Sequence, residues 1–135
     1  MHINNLNILA NYLDGVPQDQ FTMRTFARMD TDSEIPLHAH ECKTAGCAIG
    51  WAPMAGFEIL DTDQAWADYS ERVFDLNFGS RAWAWCFAGT WARVDDSPAG
   101  AAKRIRYLIE HGAVPFDANQ QMFGTTPYIF HKETT

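Results

Sequence analysis

The chain has 135 residues, of which 47% are hydrophobic and 20% charged, and its formal net charge is −7. This composition is typical of a globular protein that buries a core, and it excludes a disordered chain. The negative charge argues against direct nucleic-acid binding, which depends on Lys and Arg that neutralise phosphates. We expect a single domain over residues 1–135, with a helical core over 1–114 and an extended arm over 115–135.

The hydropathy pattern and the cysteine content predict a cytoplasmic protein. No apolar run approaches the ~20 residues that cross a membrane, so we expect no membrane partner. The polar start MHINNLN lacks the basic region of a signal peptide. Three cysteines are an odd number and too few for a disulfide framework, which favours reduced thiols.

The first predicted element is an α-helix in the segment INNLNILANYLDG, which ends at Gly15 before Pro17. Its apolar stripe comprises Ile3, Leu6, Leu9 and Leu13. The next segment, FTMRTFARM, is ambiguous, because its apolar residues fit both the strand and the helix period. Residues 30–41 are polar and interrupted by a proline, so we expect a loop there.

A short helix is predicted after Thr44, a residue type that favours the N-cap position. Its first turn would be residues 45–47, and Pro53 would end it. Gly46 and Gly50 would lie one turn apart, and their bare backbone would let another element approach closely. We therefore expect Gly50 to be buried against an aromatic ring from the Trp-rich segment that follows. The candidate rings are those of Trp83, Trp85, Phe87 and Trp91.

Three further helices are predicted in the second half. DTDQAWADYSERVFDLN is amphipathic and begins at Thr62 or Asp63, whereas SRAWAWCFAGTWARV is apolar nearly all round, as expected of a buried helix. SPAGAAKRIRYLIEHG has the strongest signals, with Ser97 as N-cap, Pro98 at the first position and Gly112 as the stop. The apolar stripe of DTDQAWADYSERVFDLN comprises Trp66, Tyr69, Val73 and Leu76. In SPAGAAKRIRYLIEHG, the residues expected to face the core are Ala101, Ala102, Ile105, Leu108 and Ile109, and those expected to face water are Lys103, Arg104 and Arg106.

From Pro115 onward the chain shows no helical period, which favours an extended arm pinned by its aromatic residues. The pinning residues would be Phe116, Phe123, Tyr128 and Phe130. The predicted fold class is therefore mainly α, with four to five helices and at most a minor β element.

The segment PLHAHECKTAGCAIGWAP concentrates two of the five histidines and two of the three cysteines. Four of its residues are zinc-ligand types, so a metal-binding module is one hypothesis. These residues are His38, His40, Cys42 and Cys47. All of them lie within ten residues of one segment, whereas structural zinc sites usually join two separated pairs. We therefore expect no metal and no other cofactor.

A second hypothesis is a thiol-dependent enzyme that uses Cys47. In the first turn of a helix, the positive end of the dipole would favour the reactive thiolate. The sequence TAGCAIGW is similar to the papain-type pattern, but its Trp lies four residues after the cysteine rather than next to it. His111 or His131 could act as the base, although nothing in the sequence places either beside Cys47. The interpretation that we favour is a small buried cysteine in the core.

The stretch HECKTAGCAIGWAP resembles a pattern, H-x-C-G-T-x-x-C-x-x-G-W-A, that is found in small proteins of bacteriophages and their bacterial hosts. Phe21 and Met23, the Trp-rich helix and the late SPAGAAKRIRYLIEHG helix follow in similar order, so the resemblance covers roughly residues 6–115. Lys43 departs from the pattern, which usually has Gly there. The family has no established activity, so the resemblance implies a context, a phage-encoded accessory protein, and no functional residue.

Together these observations favour a non-enzymatic protein that binds a host or defence protein. The aromatic content supports this expectation, because aromatic side chains outside a core commonly anchor interfaces. The thiol enzyme and the Cys/His metal module stay open as alternatives. The sequence leaves the oligomeric state undetermined.

Overall fold

The computed structural model describes residues 1–23, 27–28 and 45–124. Within these ranges the chain is mainly helical, as predicted, and its β structure is limited to two short strands. The α-helices are α1 (Ile3–Leu13), α2 (Trp66–Phe74), α3 (Arg81–Phe87), α4 (Pro98–His111) and α5 (Ala118–Met122), and the strands are β1 (Ala27–Arg28) and β2 (Ala45–Gly46). Short 3-10 turns lie at Gln18–Gln20 and Gly89–Arg93. No helix in the described ranges is both long and apolar enough to cross a bilayer.

Helix α1 has nearly the predicted bounds and packs against α4. The His2 side chain caps it by accepting a hydrogen bond from the Asn5 amide. Its buried residues are Leu6, Leu9, Ala10 and Leu13. Ile3 shares the helical spacing of these leucines, but it is half exposed. Ile3 lies in the first turn, where the helix extends beyond the core.

The helix predicted after Thr44 is wrong over its first turn. Ala45 and Gly46 instead form β2, which pairs antiparallel with β1. Gly46 also bridges to Phe21, and its carbonyl accepts a hydrogen bond from the Thr22 amide at 3.0 Å. Two chain segments therefore satisfy the Gly46 backbone, and these non-local bonds replace helical ones. Residues 48–56 follow as consecutive turns rather than a regular helix.

Helix α2 begins later than predicted. Instead of a cap at Thr62 or Asp63, the Asp68 carboxylate accepts hydrogen bonds from the Gln64 and Ala65 amides, both at 3.2 Å. The helix therefore begins at Trp66. The predicted stripe is confirmed, since all of its members are buried, namely Trp66, Tyr69, Val73 and Leu76.

Helix α3 is buried as predicted, but it ends at Phe87, because Ala88 is extended and the rest of the predicted helix forms the 3-10 turn Gly89–Arg93. The tryptophans of α3 donate to acceptors inside the protein. The Trp83 indole N–H donates to the Ser70 hydroxyl at 2.8 Å. The Trp85 indole N–H donates to the Arg104 carbonyl of α4 at 2.9 Å. Buried indoles require such partners, so these bonds fix α3 against α2 and α4.

Helix α4 matches its predicted caps. The Ser97 hydroxyl accepts from the Gly100 amide at 3.0 Å, and Gly112 ends the helix with a φ of 69°. One assignment is wrong, because Arg104 is fully buried rather than facing water. The predicted arm contains the short helix α5 near its start, and residues 125–135 lie outside the described residues.

Candidate functional site

Cys47 directly follows β2, and only 1% of its surface is exposed. The prediction that it opens a helix is wrong, so the helix-dipole argument for a reactive thiolate no longer applies. Its burial agrees with the core interpretation. Of the two candidate bases, His111 is exposed and stacks on Tyr107 with ring centroids 3.9 Å apart, whereas His131 lies outside the described residues.

Three of the four candidate metal ligands, His38, His40 and Cys42, lie outside the described residues. Among the residues that are described, no three His, Cys, Asp or Glu side chains come together as a metal site would require. The metal hypothesis therefore stays a prediction.

The second described cysteine, Cys86, was not singled out by the sequence. It lies on α3 with no exposed surface, and burial raises the pKa of its thiol to about 12. A thiol with this pKa is protonated at neutral pH, and the protonated form is not the nucleophile. Cys86 therefore acts as a core residue.

Asp63 and Arg72 form the best-defined polar cluster of the described chain. Asp63 is buried, and its carboxylate accepts from Arg72 Nε at 2.9 Å, from Arg72 Nη2 at 2.7 Å and from the Leu60 amide at 2.9 Å. The hydrogen bond to Asp63 raises the pKa of Arg72. Arg72 also donates to the Glu58 carbonyl, so the cluster fastens the loop before α2 to that helix. These hydrogen bonds give the cluster a structural role at the start of α2.

Arg104 is the clearest residue that the sequence analysis misplaced. Its guanidinium lies 4.2 Å from the centre of the Trp91 ring, and Nη1 donates to the Asp95 carbonyl at 3.4 Å. A cation over an indole face is a favourable arrangement. The signal was present in the sequence, because Arg104 follows Ala101 by three residues and precedes Leu108 by four. It therefore shares their inward face.

A cleft of about 430 Å³ lies beside the C-terminal end of α1. Its lining residues are Asn11, Tyr12, Gly15, Val16, Pro17, Gln20 and Trp51. The Trp51 indole N–H is already bound to the Gln20 carbonyl at 3.1 Å, and Trp51 is buried. The Trp51 indole N–H is therefore not available to a ligand in this cleft.

Among the described residues, the most exposed phenylalanines lie around α3 and α5. The exposed fraction is 56% for Phe78, 96% for Phe116 and 67% for Phe123. The prediction that Phe116 and Phe123 pin the chain to the core is therefore wrong. The buried residues of α5 make that contact instead, namely Ala118, Gln121 and Met122.

These phenylalanines are connected through Arg81 and Arg93. Phe78 lies three residues before Arg81, whose Nη2 donates to the carbonyls of Pro115 at 3.1 Å and Phe116 at 3.4 Å. Phe123 and Arg93 both line a cavity of about 310 Å³. We call the group formed by Phe78, Phe116, Phe123, Arg81 and Arg93 the phenylalanine face.

No protein-family model matches the chain, and no curated protein or solved structure matches it either. The resemblance over residues 6–115 therefore remains an expectation from the sequence. Within the described part of the chain, the phenylalanine face is the candidate site.

Proposed function

We propose that this chain is a small accessory protein of phage type, which acts without catalysis by binding a host or defence protein in the bacterial cytoplasm. One observation carries the proposal, the nearly complete exposure of Phe116. A phenylalanine ring in water forgoes the free energy of burial, on the order of 2 kcal/mol. A partner that covers the ring recovers this energy, which is why aromatic residues dominate binding hot spots.

The chemistry of the two described cysteines supports a binding role over a thiol enzyme. A thiol nucleophile must be accessible and ionisable, and both Cys47 and Cys86 are buried. Burial also holds the pKa of Cys86 near 12. No observation in the described residues favours catalysis by either thiol.

The test is affinity capture from bacterial lysate with the purified protein as bait, followed by mass spectrometry. Three baits are compared: the wild type, Phe116→Ser and Ile8→Ser. Ile8 is an exposed apolar residue on α1, outside the phenylalanine face, so its variant is the matched control. We expect one protein to be retained by the wild type and by Ile8→Ser, and at least tenfold less of it by Phe116→Ser.

Two outcomes would contradict the proposal. The first is recovery of no specific protein from lysates of several bacteria, together with turnover of a small molecule by the purified chain. The second is equal recovery by all three baits, which would mean that exposed Phe116 plays no part in binding. Thermal melts of the three baits show whether each variant remains folded.

A further inference from the structure

We infer that the phenylalanine face is the binding surface, and that its occupant is a partner segment in which Asp or Glu side chains flank large apolar ones. This inference rests on the proposed function, and it adds the location of the interface and the chemistry of the partner. Three observations carry it: the bonds that join the segments carrying the rings, the exposed area of the rings and the charge around them.

The segments that carry the three rings are joined to one another. The Arg81 side chain joins the turn that holds Phe78 to the loop that holds Phe116. Phe116 and Phe123 flank α5, which has five residues and therefore rises only ~7.5 Å. Helix α5 packs against α3, so the face extends along this helix pair.

The three phenylalanine rings expose an apolar area comparable with that of the largest patch on a typical monomer. At the stated exposures the three rings present on the order of 400 Å² to solvent. The largest apolar patch on a typical monomer measures about 300–600 Å² and is often functional. The summed exposed area of the three rings therefore falls within this range.

The charge of the face is opposite to that of the chain. Although the chain carries a net charge of −7, both arginines of the face are exposed. Within the described residues neither Arg81 nor Arg93 forms an ion pair, whereas Arg72 and Arg106 pair with Asp63 and Asp14. The face thus presents two cations whose charge no described carboxylate neutralises.

The carboxylates nearest in sequence to the face already have other partners. Asp117 accepts from Gln121 Nε2 at 2.7 Å, and Asp75 pairs with the amino group of Met1 at 2.8 Å. Asp95 accepts from the Ser97 hydroxyl, and Asp96 accepts from the Met23 amide, both at 2.5 Å. Carboxylates of a partner can therefore form ion pairs with Arg81 and Arg93. Complementary charge of this kind steers association.

The overall charge also decides between a protein segment and a nucleic acid. Exposed aromatic rings beside arginines can stack bases, but a nucleic acid brings a continuous row of phosphates. The net charge of −7 would repel such a row, whereas a short peptide segment places two or three carboxylates only where the arginines lie. An acidic, apolar peptide segment is therefore the occupant that fits this face.

The test uses a yeast-displayed library of random 15-residue peptides, sorted for binding to the wild-type protein and against the Phe116→Ser/Phe123→Ser double variant. We expect the selected peptides to contain more Asp and Glu than Lys and Arg, together with at least two large apolar residues. Synthetic copies should bind Arg93→Glu at least tenfold more weakly than wild type. The Ile8→Ser control should bind them as the wild type does.

Four results would overturn the inference. Selected peptides could lack the acidic bias, they could bind Arg93→Glu as well as wild type, or the sort against the double variant could remove every binder. Tight binding of a 15-nucleotide oligo(dT) that is lost in Phe116→Ser would assign the face to nucleic acid instead. If lysate capture retains a protein through Phe116 but the selected peptides fail these tests, only this inference fails and the proposed function stands.

Discussion

Replacing Gly100 with Ala is expected to destabilise the protein, although Ala is the better helix former. Gly100 occupies the third position of α4. A Cβ built there would lie 2.2 Å from Asp95 Oδ2 and 2.5 Å from Asp95 Cγ, well inside van der Waals contact. The Asp95 side chain is short, so it must turn away and give up its 2.5 Å hydrogen bond from the Ser97 hydroxyl.

The magnitude follows from two opposing effects. The propensity gain from Gly to Ala is at most ~1 kcal/mol in a helix interior and smaller in the first turn. Overpacking costs about 1–3 kcal/mol, and a lost hydrogen bond to a charged group costs about 1.5–3 kcal/mol. Because Asp95 is only partly buried, we take the lower end of these ranges. The net loss should be about 1–2 kcal/mol, or a few degrees in Tm.

Urea denaturation of wild type, Gly100→Ala, Asp95→Ala and the double variant measures this effect. Asp95→Ala removes the obstacle, so in that background Gly100→Ala should be neutral or stabilising. The coupling between the two changes should be about 1–3 kcal/mol, as found for residues in contact. The reasoning is refuted if Gly100→Ala is no less stable than wild type, or if its loss persists without the Asp95 carboxylate.

Two further substitutions probe the core. Asp63→Ala should cost about 2–4 kcal/mol in urea denaturation, because it leaves the Arg72 guanidinium and the Leu60 amide without their carboxylate partner. Glu58→Ala should cost little, because it keeps the carbonyl that accepts from Arg72 and removes only an exposed carboxylate. A cost below ~0.5 kcal/mol for Asp63→Ala would show that the cluster is not structural. Gly50→Ala should lower the Tm, because Gly50 is buried and overpacking costs about 1–3 kcal/mol. An unchanged or raised Tm would remove the prediction that Gly50 packs against a ring.

The elements that the sequence predicted well are those whose signals are local. The caps of α4, Ser97 and Gly112, lie within the segment that they end, and the structure places both as expected. The segment after Thr44 fails for the opposite reason. Gly46 pairs with Ala27 and Phe21, which lie far upstream, and helix propensity carries no information about such partners.

The candidate site was harder to predict than the fold. Aromatic residues are usually taken to be buried, so the sequence favoured Phe116 and Phe123 as pins of the arm. Their exposure depends on where α5 lies against α3, which is a property of the tertiary structure. Arg104 could have been found, since its helical spacing matches its apolar neighbours, but its charge argued for a solvent-facing position.

The free energy of unfolding should decrease at alkaline pH, because burial keeps the Cys86 thiol and the Tyr69 hydroxyl protonated in the folded protein. Burial raises the pKa of Cys86 from 9.0 to about 12 and raises that of Tyr69 above its ordinary value of 10.0. The unfolded chain therefore loses these protons first, so the stabilisation is complete below pH 9 and decreases as the pH rises toward 12. Each group contributes a slope of about 1.4 kcal/mol per pH unit within its window.

Urea denaturation between pH 8 and about 10.5 should show the decrease, and Cys86→Ser should have a shallower slope than wild type, because a serine hydroxyl does not titrate in this range. Equal slopes would contradict this prediction. They would mean that Cys86 ionises as easily in the folded protein as in the unfolded one, despite its complete burial on α3.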